Sequence, residues 1–230
     1  MILSLPFFSP WSRLFIAAVG FLPVAALVPS LGGWVPLAWT TLCVTVPAWL
    51  LLLWYAGRNT QRLKCVALVI LAGMGATLIY DGVRLTLTEL GGLRDGIPNI
   101  GRMMLGDFQA PLGDVFVLSY FYRYLGDGGG LALAYFAGQR FAVRTGMIFG
   151  ACVCLCLWAT LAVFPIARQM LFPLTPYALM MTMVGHLVFG GILGFSLSRL
   201  ISCDGSEQKA PTASVGAGEM GPSGVDRLTS

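Results

Sequence analysis

Two opposite charges lie four residues apart in a stretch that is otherwise apolar and aromatic: Arg123 and Asp127 in "VFVLSYFYRYLGDGGGLALAYFA". A charged residue at the centre of a membrane helix costs roughly 2.5–3.5 kcal/mol, so the two together cost about 5–7 kcal/mol unless they find partners. Each surrounding Leu, Phe or Val returns only about 0.3–0.6 kcal/mol. The i, i+4 spacing puts both on one helix face, where they can pair with each other. Tyr120 and Tyr124 fall on the same stripe, so one side carries two phenols, a guanidinium and a carboxylate. That stripe should face a bundle interior or a water-filled crevice, and its chemistry would be binding or proton movement. The plainer alternative is a self-neutralising pair that only fixes how helices pack.

The one histidine, His186, lies mid-way along a second apolar run, in "GHLVFGGILG". An imidazole at that depth needs a hydrogen-bond partner, and Asp127 is the expected one; a backbone carbonyl or a tyrosine is the alternative. Arg123, Asp127, His186, Tyr120 and Tyr124 therefore form one candidate polar site. Asp81 and Arg84, at i and i+3 in "GMGATLIYDGVR", form a second candidate site with Arg102 of the following loop. It is expected near the outer interface, where a charged pair is cheap because long side chains reach back to water.

Several chemistries lack their signatures. There is no GxxxxGK[ST], no HExxH and no GxSxG, and one histidine cannot furnish a multi-histidine metal centre. In "ACVCLCLW", Cys152 and Cys156 share a helix face while Cys154 points away, so these thiols cannot converge on a metal from an intact helix. No cofactor or metal is expected. Five of the six cysteines (Cys43, Cys65, Cys152, Cys154, Cys156 and Cys203) lie in or beside apolar runs, where they act as small hydrophobes.

The elements that must position these groups follow from composition. Of 230 residues, 57% are hydrophobic and 10% charged, with a mean hydropathy of +0.81; soluble domains carry roughly 25% charged residues. About 20 apolar residues span a bilayer, and six such stretches are expected at 14–31, 34–56, 64–84, 115–137, 142–164 and 176–199. The fold class is thus all-α, a polytopic transmembrane bundle over residues 1–200. "MILSLPFFSPWSR" lacks a basic leader before its apolar stretch, so the first run reads as a retained span rather than a signal peptide. Positive charge then orients the chain. Arg13, Arg58, Arg62, Lys64, Arg140, Arg144, Arg199, Lys209 and Arg227 fall on one side, against Arg84, Arg94, Arg102 and Arg168 on the other. Both termini are expected in the cytoplasm. The non-cytoplasmic loop 85–114 holds "PNIGRMMLGDF", which reads either as an amphipathic helix over 98–108, on the membrane surface or capping the bundle, or as an ordered loop with a few apolar contacts. The Gly/Ser/Pro-rich tail, 201–230, cannot bury a core and reads as disordered.

Residues 70–200 resemble a loose group of uncharacterised small bacterial integral membrane proteins. The resemblance rests on Gly75-Ala76-Thr77 followed by Asp81, on Gly101-Arg102 and Gly106, on Tyr122-Arg123 through Gly128, and on His186-Leu187-Val188-Phe189-Gly190. In that group the position of Arg123 is more often histidine, a departure that bears on any shared proton chemistry. The resemblance implies no activity; it implies that Asp81, Arg102 and His186 are the residues to test first, in a multi-pass bacterial inner-membrane protein.

Three functions are compatible with these residues. A transport-like role would use Arg123, Asp127 and His186 in a water-accessible cavity between the fourth and sixth spans. An accessory or assembly role would show an exposed small-residue face and no cavity. The alternative, an enzyme acting on a lipid or isoprenoid, would hold a carboxylate and the imidazole within hydrogen-bond reach, in a cleft open to lipid. Partners are the bilayer, and either a second copy or another membrane protein. The net charge of +4 comes from loop arginines, so nucleic acid is not expected.

Overall fold

The computed structural model describes residues 8–92, 95–138, 141–164 and 174–202, and for 201–202 the backbone alone. All of its regular structure is helical. Helix α1 is Pro10–Leu31. Helix α2 is Leu37–Gly57, with a π-helical turn at Thr41–Thr45. Helix α3 is Thr60–Leu90, and the short α4 is Pro98–Leu105. Helix α5 is continuous helical backbone in three pieces: Leu112–Phe121, a π-helical turn Tyr122–Gly129, and Gly130–Ala137. Helices α6, Val143–Val163, and α7, Pro176–Ser202, complete the bundle.

Five of these, α1, α2, α3, α6 and α7, are long and apolar enough to cross a membrane. The fourth expected span is α5, whose polar π turn interrupts the apolar run. The outer surface is apolar too: Leu42, Leu71, Leu78, Val117, Phe121, Leu155 and Val163 are all exposed, a surface that suits lipid rather than water. Exposed tryptophans mark the ends of this band, as amphipathic rings do at membrane interfaces. Trp11 and Trp54 sit at one end, where Ser12 Oγ and Tyr55 OH lie 2.7 Å apart and Arg58 stacks over Trp54 at 3.8 Å; Trp34 and Trp39 sit at the other.

Local chemistry sets the boundaries. Ser9 Oγ accepts from the Ser12 amide at the start of α1, and Asn59 Oδ1 accepts from the amides of Gln61 and Arg62 at the start of α3; each satisfies donors that a first turn leaves unpaired. Helix α3 runs on past residue 84, where the span was expected to stop, because no breaker occurs before Gly91 and Gly92. Its 31 residues measure about 46 Å, well beyond the roughly 30 Å of hydrocarbon.

Helix α5 is the axis of the bundle. From Asp127 to Phe136 every residue is buried, the pattern of a helix enclosed on all sides. Glycines let its neighbours approach: Gly130 lies against Gly20 of α1, and Gly128 against Gly73 and Thr77 of α3. Helices α6 and α7 pair in the same way through Gly146, Gly150, Gly190 and Gly194, so the GxxxG spacing of Gly190 and Gly194 docks on a neighbouring helix.

Helix α4 packs against the bundle. Ile100 and Met103 are buried with Ala26, Leu31, Leu37, Tyr122 and Leu161, so the segment is helical and its apolar face is turned into the bundle. It is shorter than 98–108, ending at Gly106, whose φ of 70° stops the helix. Gly101 has no side chain to hold α4 off α5; its amide donates to Ser119 Oγ at 2.9 Å, and that hydroxyl donates to the Val115 carbonyl at 2.7 Å. The tail beyond residue 202, together with Arg94, Arg140, Arg168, Cys203, Lys209 and Arg227, lies outside the described residues.

Candidate functional site

The two sites separated in the sequence are one network. Asp81 Oδ1 accepts from Arg84 Nε at 3.2 Å and from Arg123 Nη2 at 3.3 Å. Arg123 Nη1 reaches Asp127 Oδ2 at 3.5 Å, the i, i+4 pair expected within α5. Arg84 Nη1 donates to Asp95 Oδ1 at 2.7 Å, and Tyr120 OH donates to Asp95 Oδ2 at 2.8 Å. Three carboxylates thus hold two guanidinia across α3, the loop before α4, and α5. Asp81 and Arg84 are therefore not a snorkelling pair at an interface: both are almost wholly buried, because the glycine contact between α3 and α5 draws the long Arg123 side chain onto Asp81.

The π turn is what presents Arg123 and Asp127. Its i→i+5 pattern carries an extra residue per turn, a distortion frequent at functional sites. The Arg123 guanidinium lies over the Tyr80 ring at 4.5 Å, and the Tyr80 ring meets His186 edge-on at 5.0 Å. Tyr124 stacks on Tyr120 with centroids 6.2 Å apart. Tyr122 OH donates to the Pro23 carbonyl at 2.5 Å and fastens the turn to α1.

His186 is not paired with Asp127. Its Nδ1 lies 2.8 Å from the Thr182 carbonyl one turn back on α7. A carbonyl can only accept, so Nδ1 carries the proton, and a neutral ring offers Nε2 as an acceptor. The rotation of α7 turns the ring toward Tyr80, while Asp127 turns toward its own arginine. Thr182 itself is tied to α6, where Trp158 Nε1 donates to its hydroxyl at 2.6 Å.

Arg102 does not join the network either. It donates from Nε to the Ala110 carbonyl at 3.1 Å and from Nη1 to Asn99 Oδ1 at 2.8 Å, and so closes the segment that follows α4. Its place in the candidate outer site is taken by Asp95, which sequence reasoning missed. The available signal was local: an acidic side chain three residues before the proline that opens a helix. Asp95 Oδ1 also accepts from the Ile97 amide at 3.0 Å.

A cavity of about 120 Å³ lies beside the network, walled by Tyr80, Arg84, Arg123, Asp127, Thr182 and His186, with leucines of α1 and α6 opposite and Ile97 and Ile100 above. The polar atoms around it are not all used: Arg84 Nη2 and Asp127 Oδ1 are buried without a hydrogen-bond partner. Of the CxCxC thiols, Cys152 and Cys156 are exposed and Cys154 is buried against Thr182 at 3.8 Å, as opposite helix faces require. Among the described residues no cluster of three or more metal-ligating side chains occurs.

Asp95 lies outside the membrane-length helices, and its carboxyl is held below its ordinary value of 3.8. Burial alone would raise it, but the Ile97 amide and then the Arg84 and Tyr120 donors outweigh that. The folded state then binds fewer protons than the unfolded one. Its contribution to stability is complete above the ordinary value and is lost as pH falls through the lower folded value. Asp95→Asn is expected to lower stability at neutral pH and to flatten the decline of stability below about pH 4, read from thermal unfolding of the purified protein across pH. An unchanged acid limb would remove Asp95 from this role.

Comparison with known protein families, curated proteins and solved structures finds no match to this chain.

Proposed function

We propose that this chain is a transport-like protein of a bacterial inner membrane that binds a polar group in the central cavity. Helix α5 crosses as well, as the fourth of six spans, and both termini are cytoplasmic. The observation that carries the reading is the cavity itself, walled by Arg84, Arg123, Asp127 and His186 and capped by α4. Buried charge inside a membrane protein is expensive and is typically kept for a substrate or ion path.

The orientation rests on Arg13, Arg58 and Arg62 gathering at the Trp11–Trp54 end, and on Arg84 being consumed internally, which leaves the opposite side poorer in free cations. An accessory role would rest on an open small-residue face; Gly20, Gly73, Gly128 and Gly130, and Gly146, Gly150, Gly190 and Gly194, pack within the bundle, and Gly75 and Gly82 of α3 are left open. An enzymatic role would set a carboxylate against the imidazole, whereas Asp127 faces Arg123 and His186 faces the Thr182 carbonyl. In this reading the chain belongs with the small membrane proteins it resembles over residues 70–200.

The test is solvent access to the cavity. Single cysteines at 127 and 186, in a cysteine-free background, are expected to react with a small membrane-impermeant thiol reagent from the α4 side. Complete protection of both in folded protein would make the network a packing device and overturn the proposal.

A further inference from the structure

A second cavity, of about 480 Å³, lies between α1 and α6. It is almost purely apolar, lined by Val24, Val28, Phe149 and Val153 among others. Phe21, Cys152 and Cys156 of its lining are exposed on the outside of the bundle, so it opens toward the lipid-facing surface. Leu27, Leu31 and Leu157 line both this groove and the charged cavity. The two spaces are therefore neighbours that share three leucine side chains, one apolar and one polar.

We propose that the site takes an amphiphile from the membrane, with a single apolar chain in the α1–α6 groove and an uncharged, hydroxyl-bearing head in the charged cavity. This rests on the cavity being the binding site, as inferred above.

The head follows from what the cavity lacks. Arg84 Nη2 and Arg123 Nε are unpartnered donors and Asp127 Oδ1 an unpartnered acceptor, the Arg84 and Asp127 side chains both more than nine-tenths buried. His186 Nε2 adds an acceptor. A phosphate or carboxylate only accepts and an ammonium only donates, whereas a hydroxyl does both. Formal charge points the same way. The network sets three carboxylates, Asp81, Asp95 and Asp127, against two guanidinia, and an anionic head would add to that excess.

The groove carries its own reporters. Cys152 and Cys156 line it, while Cys43 is exposed elsewhere on α2. The full chain in detergent is treated with N-ethylmaleimide in the presence of 1-oleoylglycerol, oleate or oleylamine, and the alkylation rate of each cysteine is followed by mass spectrometry. 1-Oleoylglycerol is expected to protect Cys152 and Cys156 at about one-tenth the concentration that oleate or oleylamine requires, since hydrogen bonds to charged groups favour the matching head by tenfold or more. Cys43 should be indifferent to all three.

Asp127→Ala should abolish the preference. Should that variant not fold, Leu157→Trp, which fills the boundary between the two spaces, should abolish it while protection by the chain remains. Equal protection by the three probes would mean that the groove takes any acyl chain, and would overturn the proposal. No protection by any probe, with cysteine at 127 still labelled from water, would overturn the amphiphile and leave the binding cavity standing. Protection from water at 127 as well would end both.

Discussion

Asp81→Ala is expected to destabilise the protein by about 3–5 kcal/mol, the cost of leaving buried charge without its partner. Asp81 Oδ1 is the one atom that accepts from both arginines. Removing it leaves Arg123 with Asp127, at the longer 3.5 Å, as its carboxylate partner and with the face of Tyr80, and leaves Arg84 with Asp95. The measurement is unfolding by SDS from mixed micelles, followed by helical circular dichroism. Adding Arg123→Leu and Asp127→Leu to Asp81→Ala should restore much of the loss, because it removes Arg123 together with both of its carboxylates, and apolar replacement of a whole buried ionic group is often neutral. A general packing defect at position 81 would not be rescued this way. A loss below about 0.5 kcal/mol, the ordinary size of a surface change, would show that the network does not hold α3 to α5.

The second large effect is expected at the α6–α7 contact. A methyl group on Gly190 would run into the Gly146 carbonyl, and one on Gly146 into that of Gly190. The obstacle is backbone rather than a flexible side chain, so the helices must separate along their length. Gly190→Ala is expected to cost on the order of 3 kcal/mol, the upper end of the usual range for overpacking. Gly75 is the control: it lies in α3 with nothing near its missing side chain, and Gly75→Ala should cost nothing or stabilise by up to about 1 kcal/mol. Equal losses in the two variants would mean that glycine matters here for backbone freedom and not for close approach.

The helices were legible in the sequence because a membrane helix announces itself by length and apolarity. Expected ends such as 142–164 and 34–56 fall within a few residues of Val143–Val163 and Leu37–Gly57. The pairing of Arg123 with Asp127 was equally readable, since spacing along one helix decides it. Contacts between helices were not. Asp81 and Arg123 are 42 residues apart, and what joins them is the meeting of Gly73 with Gly128, a matter of helix rotation. The two glycine-rich stretches, "GMGAT" and "GDGGG", were the trace of that contact in the sequence. His186 was matched to Asp127 by depth alone, and depth does not say which way a ring faces. The carbonyl four residues back on its own helix was closer than any side chain.

The central position of α5 also bears on how the protein is made. Helix α5 is the segment that lipid would tolerate least, with a guanidinium, a carboxylate and a run of glycines in its middle. Its partners, however, come earlier in the chain: Gly20 and Pro23 in α1, and Gly73, Thr77 and Asp81 in α3. During synthesis they are already in the membrane when Arg123 emerges, so the order of the chain supplies the counter-ion before the charge that needs it. Helices α6 and α7, which carry their own glycine seam, can then close around a core that is already neutralised. A rearranged chain in which α5 was made before α3 would have the same contacts available at the end and no shelter for Arg123 on the way.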